Sequence, residues 1–280
     1  MALLRRLNRF RFSKLPPLSQ VPRVIDPPAD DFNRYFVDQG SQMISVGATP
    51  FRDKLPTLAD MLSGPVQDVE VRVRGGDYAD VAKRENRRMR LVDYVEKYIR
   101  PADHGESGSG ENLPDYSGNT PLSRADFDTL GLKYPDAFDD GASFQDPRLW
   151  IGPKRSLTPL HHDGSDNLMC QYVGRKYLKL FPPSQIKWLY MTDFGPAWSR
   201  IPDPRTPDLE AFPLFAKARS VDVTLNPREI LYLPARWAQF VLNLEVSVMV
   251  NFWHEPSTYN LLRKRAWSLR LRIQGRIGRG

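Results

Sequence analysis

Two histidines and a carboxylate crowd the stretch Thr158-Pro-Leu-His161-His162-Asp163. Along a strand, side chains two apart share a face. His161 and Asp163 therefore project together, and His162 points away. An imidazole and a carboxylate on one face are two of the three donors of a facial site for a divalent metal, the arrangement that holds non-haem Fe(II) in oxygenases. A bare His-x-Asp is weakly specific, because such pairs also arise by chance on surfaces.

A second signal follows at once. In Gln171-Tyr-Val-Gly-Arg-Lys176-Tyr-Leu-Lys-Leu-Phe181, ended by Pro182 and Pro183, the residues Lys176, Leu178 and Leu180 have one parity. Tyr177, Lys179 and Phe181 have the other. With the leucine face in the core, Lys176 points inward, where an ammonium is costly unless paired. Its partner is then a structural Asp or Glu, or an acidic ligand.

Together with their neighbours these residues resemble a known family. Leu149-Trp-Ile-Gly-Pro153, Thr158-Pro-Leu-His161 with Asp163, Asn167, Gly174-Arg-Lys176 and Leu180-Phe-Pro-Pro183 are similar to the JmjC-type cupin-like hydroxylases, relatives of the factor-inhibiting asparaginyl hydroxylase. The likeness covers roughly residues 30–255. It implies a mainly β, double-stranded β-helix (jelly-roll or cupin) fold with an N-terminal α/β lead-in. It also implies that His161 and Asp163 bind Fe(II) and that Lys176 binds the far carboxylate of 2-oxoglutarate. Tyr116, Thr158, Asn167 and Asn251 complete the implied co-substrate set; for Tyr116 a packing role in a strand is the alternative.

The distal half departs from the family. Glu229-Ile-Leu-Tyr-Leu-Pro-Ala-Arg236-Trp-Ala-Gln239-Phe-Val241 and Ser247-Val-Met-Val-Asn251-Phe-Trp253 resemble its last strands. The family pattern there is Leu-Pro-Ala-Gly-Trp-Trp-His-x-Val. Aligned without a gap, the second metal histidine falls on Gln239, the adjoining tryptophan on Ala238 and the turn glycine on Arg236. His254 and His162 both have the wrong parity to replace the lost ligand. Gln239 offers an amide oxygen, a weaker donor than imidazole.

Two functions of different class follow from the resemblance. One is an Fe(II)- and 2-oxoglutarate-dependent oxygenase that hydroxylates a protein, RNA or small-molecule substrate with a His161/Asp163/Gln239 metal set. The other is a non-catalytic cupin-like module acting in binding or regulation. In either case the expected ligand is 2-oxoglutarate or a similar dicarboxylate.

Around these motifs, Leu58 to Leu62 and Leu91 to Ile99 have helical spacing, with Leu91, Tyr94, Val95, Tyr98 and Ile99 on one face. Val69 to Val73 alternates as a half-buried strand does. Leu178, Leu180, Val248 and Val250 are expected in the barrel core. The loop 101–112, with its exposed His104, and the acidic loop Asp136–Asp146 separate the elements.

Charge divides the chain into three. Of its 40 Lys and Arg residues, six lie in residues 1–25 and seven in residues 256–280, and neither end carries an acid. The remaining 27 face all 33 acids, so a net +7 chain has a middle of −6. The expected organisation is a basic arm (1–25), a cupin-like domain (26–255, barrel about 113–255) and a basic helical tail (256–280). Such ends suit a polyanionic partner or simple solvation; the family likeness implies that the tail can form a homodimer interface, and an amphipathic membrane-surface helix is the alternative its residues allow. The single cysteine excludes an intramolecular disulfide and a multi-cysteine zinc site. No apolar run reaches membrane-spanning length, so no transmembrane segment is expected. The expected location is cytoplasmic, or mitochondrial from the Arg-rich, acid-free N-terminus.

Overall fold

From Arg148 to His254, β-branched and aromatic runs alternate with Gly, Pro and Asn turns, and the chain folds as strand after strand. The computed structural model describes residues 20–25, 41–46, 57–64, 66–73, 85–100, 114–117, 120–130, 147–192 and 197–254, together with residues 32, 36 and 132. The basic segments 1–19 and 256–280, the loop 101–112 with His104 and the loop Asp136–Asp146 lie outside the described residues.

The lead-in consists of β1 (Arg23–Ile25), β2 (Met43–Val46), α1 (Leu58–Ser63), β3 (Asp68–Val73), β4 (Glu85–Arg90), α2 (Leu91–Tyr94), β5 (Pro114–Ser117), β6 (Thr120–Pro121) and α3 (Arg124–Thr129). Helices α1 and α3 begin at Thr57 and Ser123, whose hydroxyls accept from the N–H of Asp60 and Asp126 while those carboxylates reach back. After α2 the chain widens into a π turn, Val95–Ile99. Leu91, Tyr94, Val95, Tyr98 and Ile99 are all buried on the predicted face.

The barrel follows with β7 (Arg148–Gly152), β8 (Leu157–His162), β9 (Asp166–Val173), β10 (Lys176–Phe181), β11 (Ala197–Trp198), β12 (Val221–Leu225), β13 (Glu229–Leu233), β14 (Ala238–Asn243) and β15 (Ser247–His254). One sheet runs β1-β2-β13-β9-β15-β7-β6, a second β11-β8-β14-β10-β12, and a small third β4-β3-β5. Leu178, Leu180, Val223 and Val241 of the second sheet share one apolar cluster with Ile44, Met169, Leu231 and Met249 of the first. The two large sheets therefore face each other around a common interior, which is the double-stranded β-helix expected.

The outer faces are covered as well. Cys170, Tyr172, Val248, Val250 and Phe252 on the back of the first sheet join Leu91, Tyr94, Tyr98 and Ile99 in a separate cluster. Val248 and Val250 are thus core residues of the outer layer, not of the barrel interior; Met249 and Asn251 take the inward positions. On the back of the second sheet, Leu160, Phe181 and Phe240 pack with Leu189, Ile201 and Phe215 from the long β10–β12 connection.

The turn before β10 sets the position of Lys176. Gly174 has φ +66°, and a Cβ there would overlap the Val246 carbonyl oxygen. Gln171 Nε2 lies 2.6 Å and 2.8 Å from the carbonyls of Val173 and Gly174, pinning the turn from inside. Gly174→Ala is expected to cost at least about 2 kcal/mol in urea unfolding, from left-handed strain and a clash with backbone. An unchanged midpoint would mean the turn adapts freely.

Candidate metal and co-substrate site

His161 lies near the end of β8, directly across from Gln239 of β14 and Trp198 of β11. Its Nδ1 is 2.8 Å from the Pro159 carbonyl, so that nitrogen donates, and in the neutral ring the lone pair is on Nε2. The Trp198 indole stacks on the ring at 4.5 Å and 21°. A ring held by a backbone bond and a stacked indole aims Nε2 in one direction.

That direction holds the two other predicted ligands. Asp163, one residue past the strand, places Oδ1 3.8 Å from His161 Nε2. Its Oδ2 accepts from Gln239 Nε2 at 3.0 Å and lies 3.4 Å from Trp253 Nε1. Gln239 Nε2 is also 3.5 Å from His161 Nε2. The structure thus brings His161, Asp163 and Gln239 together, and Gln239 is only 2% exposed. Its Oε1 is buried with no hydrogen-bond partner among the described residues.

The loop that carries Asp163 is tied down by a residue that pattern reading missed. Asp166 accepts from the Ala235 N–H at 2.6 Å and from the Tyr232 hydroxyl at 3.1 Å. A few residues away, the Arg236 N–H donates to the Asp163 carbonyl at 2.9 Å. These bonds clamp the His161–Asp163 loop onto the turn that leads to Gln239. Arg236, at the family's glycine position, adopts φ 71°, a conformation that favours glycine. Removing the carboxylate leaves a buried N–H and a buried hydroxyl without this acceptor. Asp166→Ala is expected to cost about 2–4 kcal/mol in chemical denaturation; a loss below about 1 kcal/mol would contradict the clamp.

Lys176 is fully buried at the start of β10, on the face of Leu178 and Leu180. Its Nζ donates to Asn243 Oδ1 at 2.7 Å, and Asn243 in turn donates to Ser156 Oγ at 2.9 Å and to the Pro153 carbonyl at 3.2 Å. Burial pushes the ammonium well below the ordinary lysine range. Thr158 is three residues from His161, and strict alternation would send it outward. An extra residue in β8 between the two corrects this: Gln239 faces His161, but Val241 faces Thr158. Val241 belongs to the interior cluster, so Thr158 is opposite an inward position.

Asn251 pairs across the ladder with Met169, and Asn167 with Trp253, which places both on the interior side. They are 3% and 2% exposed. Asn167 Nδ2 and Oδ1 and Asn251 Oδ1 have no partner among the described residues. Orphaned buried amides mark contacts still to be made, as a polar ligand would make them. Of Tyr116 only the backbone, in β5, is described.

The two other described histidines, His162 and His254, stay out of the cluster. His254 follows inward-facing Trp253 and faces the other way. His162 points outward; burial first and the Arg236 charge second push it down to about 4. Among the described residues no group of three His, Cys, Asp or Glu side chains is placed to hold a metal. What converges is one imidazole nitrogen, one carboxylate and one amide whose oxygen is orphaned. That donor set fits a divalent cation, with an amide oxygen as its weakest member.

A model of the cupin-like domain matches residues 48–260. The chain belongs to that family. Relatives of this cupin include Lysine-specific demethylase 8 of Danio rerio, 28% identical over 85% of this chain and 59% of that protein. JmjC domain-containing protein D of Dictyostelium discoideum is 40% identical over 36% of this chain and 23% of its own length. HSPB1-associated protein 1 of Homo sapiens is 36% identical over 47% and 28%. The cupin spans at most about three-fifths of these relatives. The JmjC-type cupin expected from the motifs is therefore the family found, while the narrower likeness to the asparaginyl hydroxylase rests on the motifs alone.

Proposed function

We propose that this cupin is an Fe(II)- and 2-oxoglutarate-dependent oxygenase with a variant metal site, hydroxylating a protein, RNA or small-molecule substrate. The observation that carries it is the convergence of His161 Nε2, the Asp163 carboxylate and the Gln239 amide within 3.0–3.8 Å of one another. With both bound, Fe(II) would activate O2, the oxidant, and 2-oxoglutarate would supply two electrons; the keto acid would leave as succinate and CO2 carrying one oxygen atom of O2, with the other available to the substrate. The chain's residues do the rest. His161, Asp163 and Gln239 hold the metal, with the imidazole aimed by Pro159 and Trp198. Lys176 takes the far carboxylate of the co-substrate, and Thr158, Asn167, Asn251 and Tyr116 are the proposed remaining contacts. The apolar interior around Leu178, Leu180 and Val241 excludes water.

A second reading has one observation behind it. Gln239 offers its N–H, not its oxygen, to His161 and Asp163, which suits a binding module that holds a dicarboxylate without metal. Calorimetry separates the two. Titration of the full chain with 2-oxoglutarate should give strong binding only after Mn(II) is added, and none in Asp163→Ala. Equal binding with and without Mn(II) would favour the non-catalytic module.

The basic ends, outside the described residues, are proposed to engage a polyanionic partner, and the tail to support a homodimer. Among the described residues no helix is long and apolar enough to cross a membrane. A cytoplasmic or a mitochondrial setting both remain proposals from composition.

A further inference from the structure

His161 and Asp163 form a metal-ligand pair with an unusual companion. His161 Nε2 and Asp163 Oδ1 face one another at 3.8 Å, His161 is 9% exposed, and in the neutral ring both atoms are acceptors. Two acceptors that close together repel unless something positive or hydrogen-donating stands between them. In this chain that group is the NH2 of Gln239, 3.0 Å from Asp163 Oδ2 and 3.5 Å from His161 Nε2. A carboxamide nitrogen carries two N–H donors, one for each acceptor. The opposite end of the same amide is wasted: Oε1 is buried and meets no donor among the described residues.

We propose that the Gln239 carboxamide is a clasp built into the site. Its N–H group holds His161 and Asp163 in ligating posture without metal, and a metal enters only when the amide turns its oxygen inward. A half-turn exchanges the two ends. With oxygen inward, three acceptors face one another, which is unfavourable in the empty pocket and favourable around a divalent cation. The orphaned Oε1 is the contact held in reserve. The cost of the turn, and of breaking the bond to Asp163, lowers metal affinity, so the site discriminates by metal supply. The second half of this proposal rests on the metal reading above; the first half does not.

The test is thermal unfolding of the full chain at neutral pH, in EDTA and in Mn(II). Three proteins are compared: wild type, Gln239→Glu, and the swap Asp163→Asn with Gln239→Glu. In EDTA, Gln239→Glu places two carboxylates and a lone pair together, and its midpoint is expected at least about 4 °C below wild type. The swap returns an amide N–H opposite a carboxylate and recovers most of that loss. Mn(II) raises the midpoint of Gln239→Glu by more than that of wild type, because no amide has to turn. The clasp is overturned if Gln239→Glu melts with wild type in EDTA, if the swap recovers nothing, or if Mn(II) shifts both proteins equally. Should Gln239→Glu fail to fold in EDTA, a folded swap upholds the clasp and an unfolded one overturns it. The EDTA comparison requires no iron. A wild type that never consumes 2-oxoglutarate sinks the oxygenase reading and leaves the clasp standing, whereas equal melting in EDTA does the reverse.

Discussion

Gln239→His is expected to bind Mn(II), the redox-silent stand-in for Fe(II), at least about tenfold more tightly than wild type. It is also expected to consume 2-oxoglutarate faster in the absence of substrate. Position 239 lies directly opposite His161 in the antiparallel pair, and its side chain already reaches within 3.5 Å of the imidazole. An imidazole there places a nitrogen lone pair where the amide now places N–H donors. Nothing has to turn, and the donor is stronger for a divalent transition metal. Calorimetric titration of both proteins with Mn(II) measures the gain. Equal affinity would mean that His161 and Asp163 do not present themselves to a metal at all.

Lys176→Ala is expected to weaken 2-oxoglutarate binding about a hundredfold, with Mn(II) affinity unchanged. A hydrogen bond to a charged group contributes about 1.5–3 kcal/mol, and more is lost when the partner carboxylate is left buried and unpaired. Lys176 is buried among Leu178, Leu180 and Leu225, so water cannot easily stand in for its ammonium. The substitution also takes away the donor to Asn243, and stability should be measured alongside. A protein that stays folded and binds 2-oxoglutarate like wild type would remove Lys176 from the pocket.

Period-two reasoning located Lys176, Leu178 and Leu180 on one buried face, because β10 is a regular strand whose alternate residues, Tyr177 and Lys179, stay half-exposed. The helical face from Leu91 to Ile99 was equally legible. Strand β15 was not. Both faces of its sheet are covered, so six consecutive residues are buried and alternation no longer separates inside from outside. Alternation alone therefore puts Val248 and Val250 in the barrel interior, whereas they pack in the outer layer. Thr158 shows a second limit: a bulge changes parity, and no residue in Thr158-Pro-Leu-His161 announces it in advance.

The supporting residues were missed for a different reason. Asn243 meets Lys176 across 67 residues of chain, and Asp166 meets Ala235 across 69. Local pattern cannot reveal partners that only the closed barrel brings together. A faint signal existed for Asn243, which continues the inward row of Gln239 and Val241. Trp198 belongs to the long β10–β12 connection and had none. Gln239 itself was found through its departure from a family pattern, and the orientation of its amide emerged only from the positions of His161 and Asp163.

The most direct measurement loads wild-type protein with Fe(II) under anaerobic conditions, then admits O2 and 2-oxoglutarate and quantifies succinate, with Asp163→Ala as control. Iron-dependent succinate from wild type, well above the control, is the predicted result. Succinate at the control level from a protein that still binds 2-oxoglutarate would contradict the oxygenase assignment and leave the barrel as a dicarboxylate-binding module.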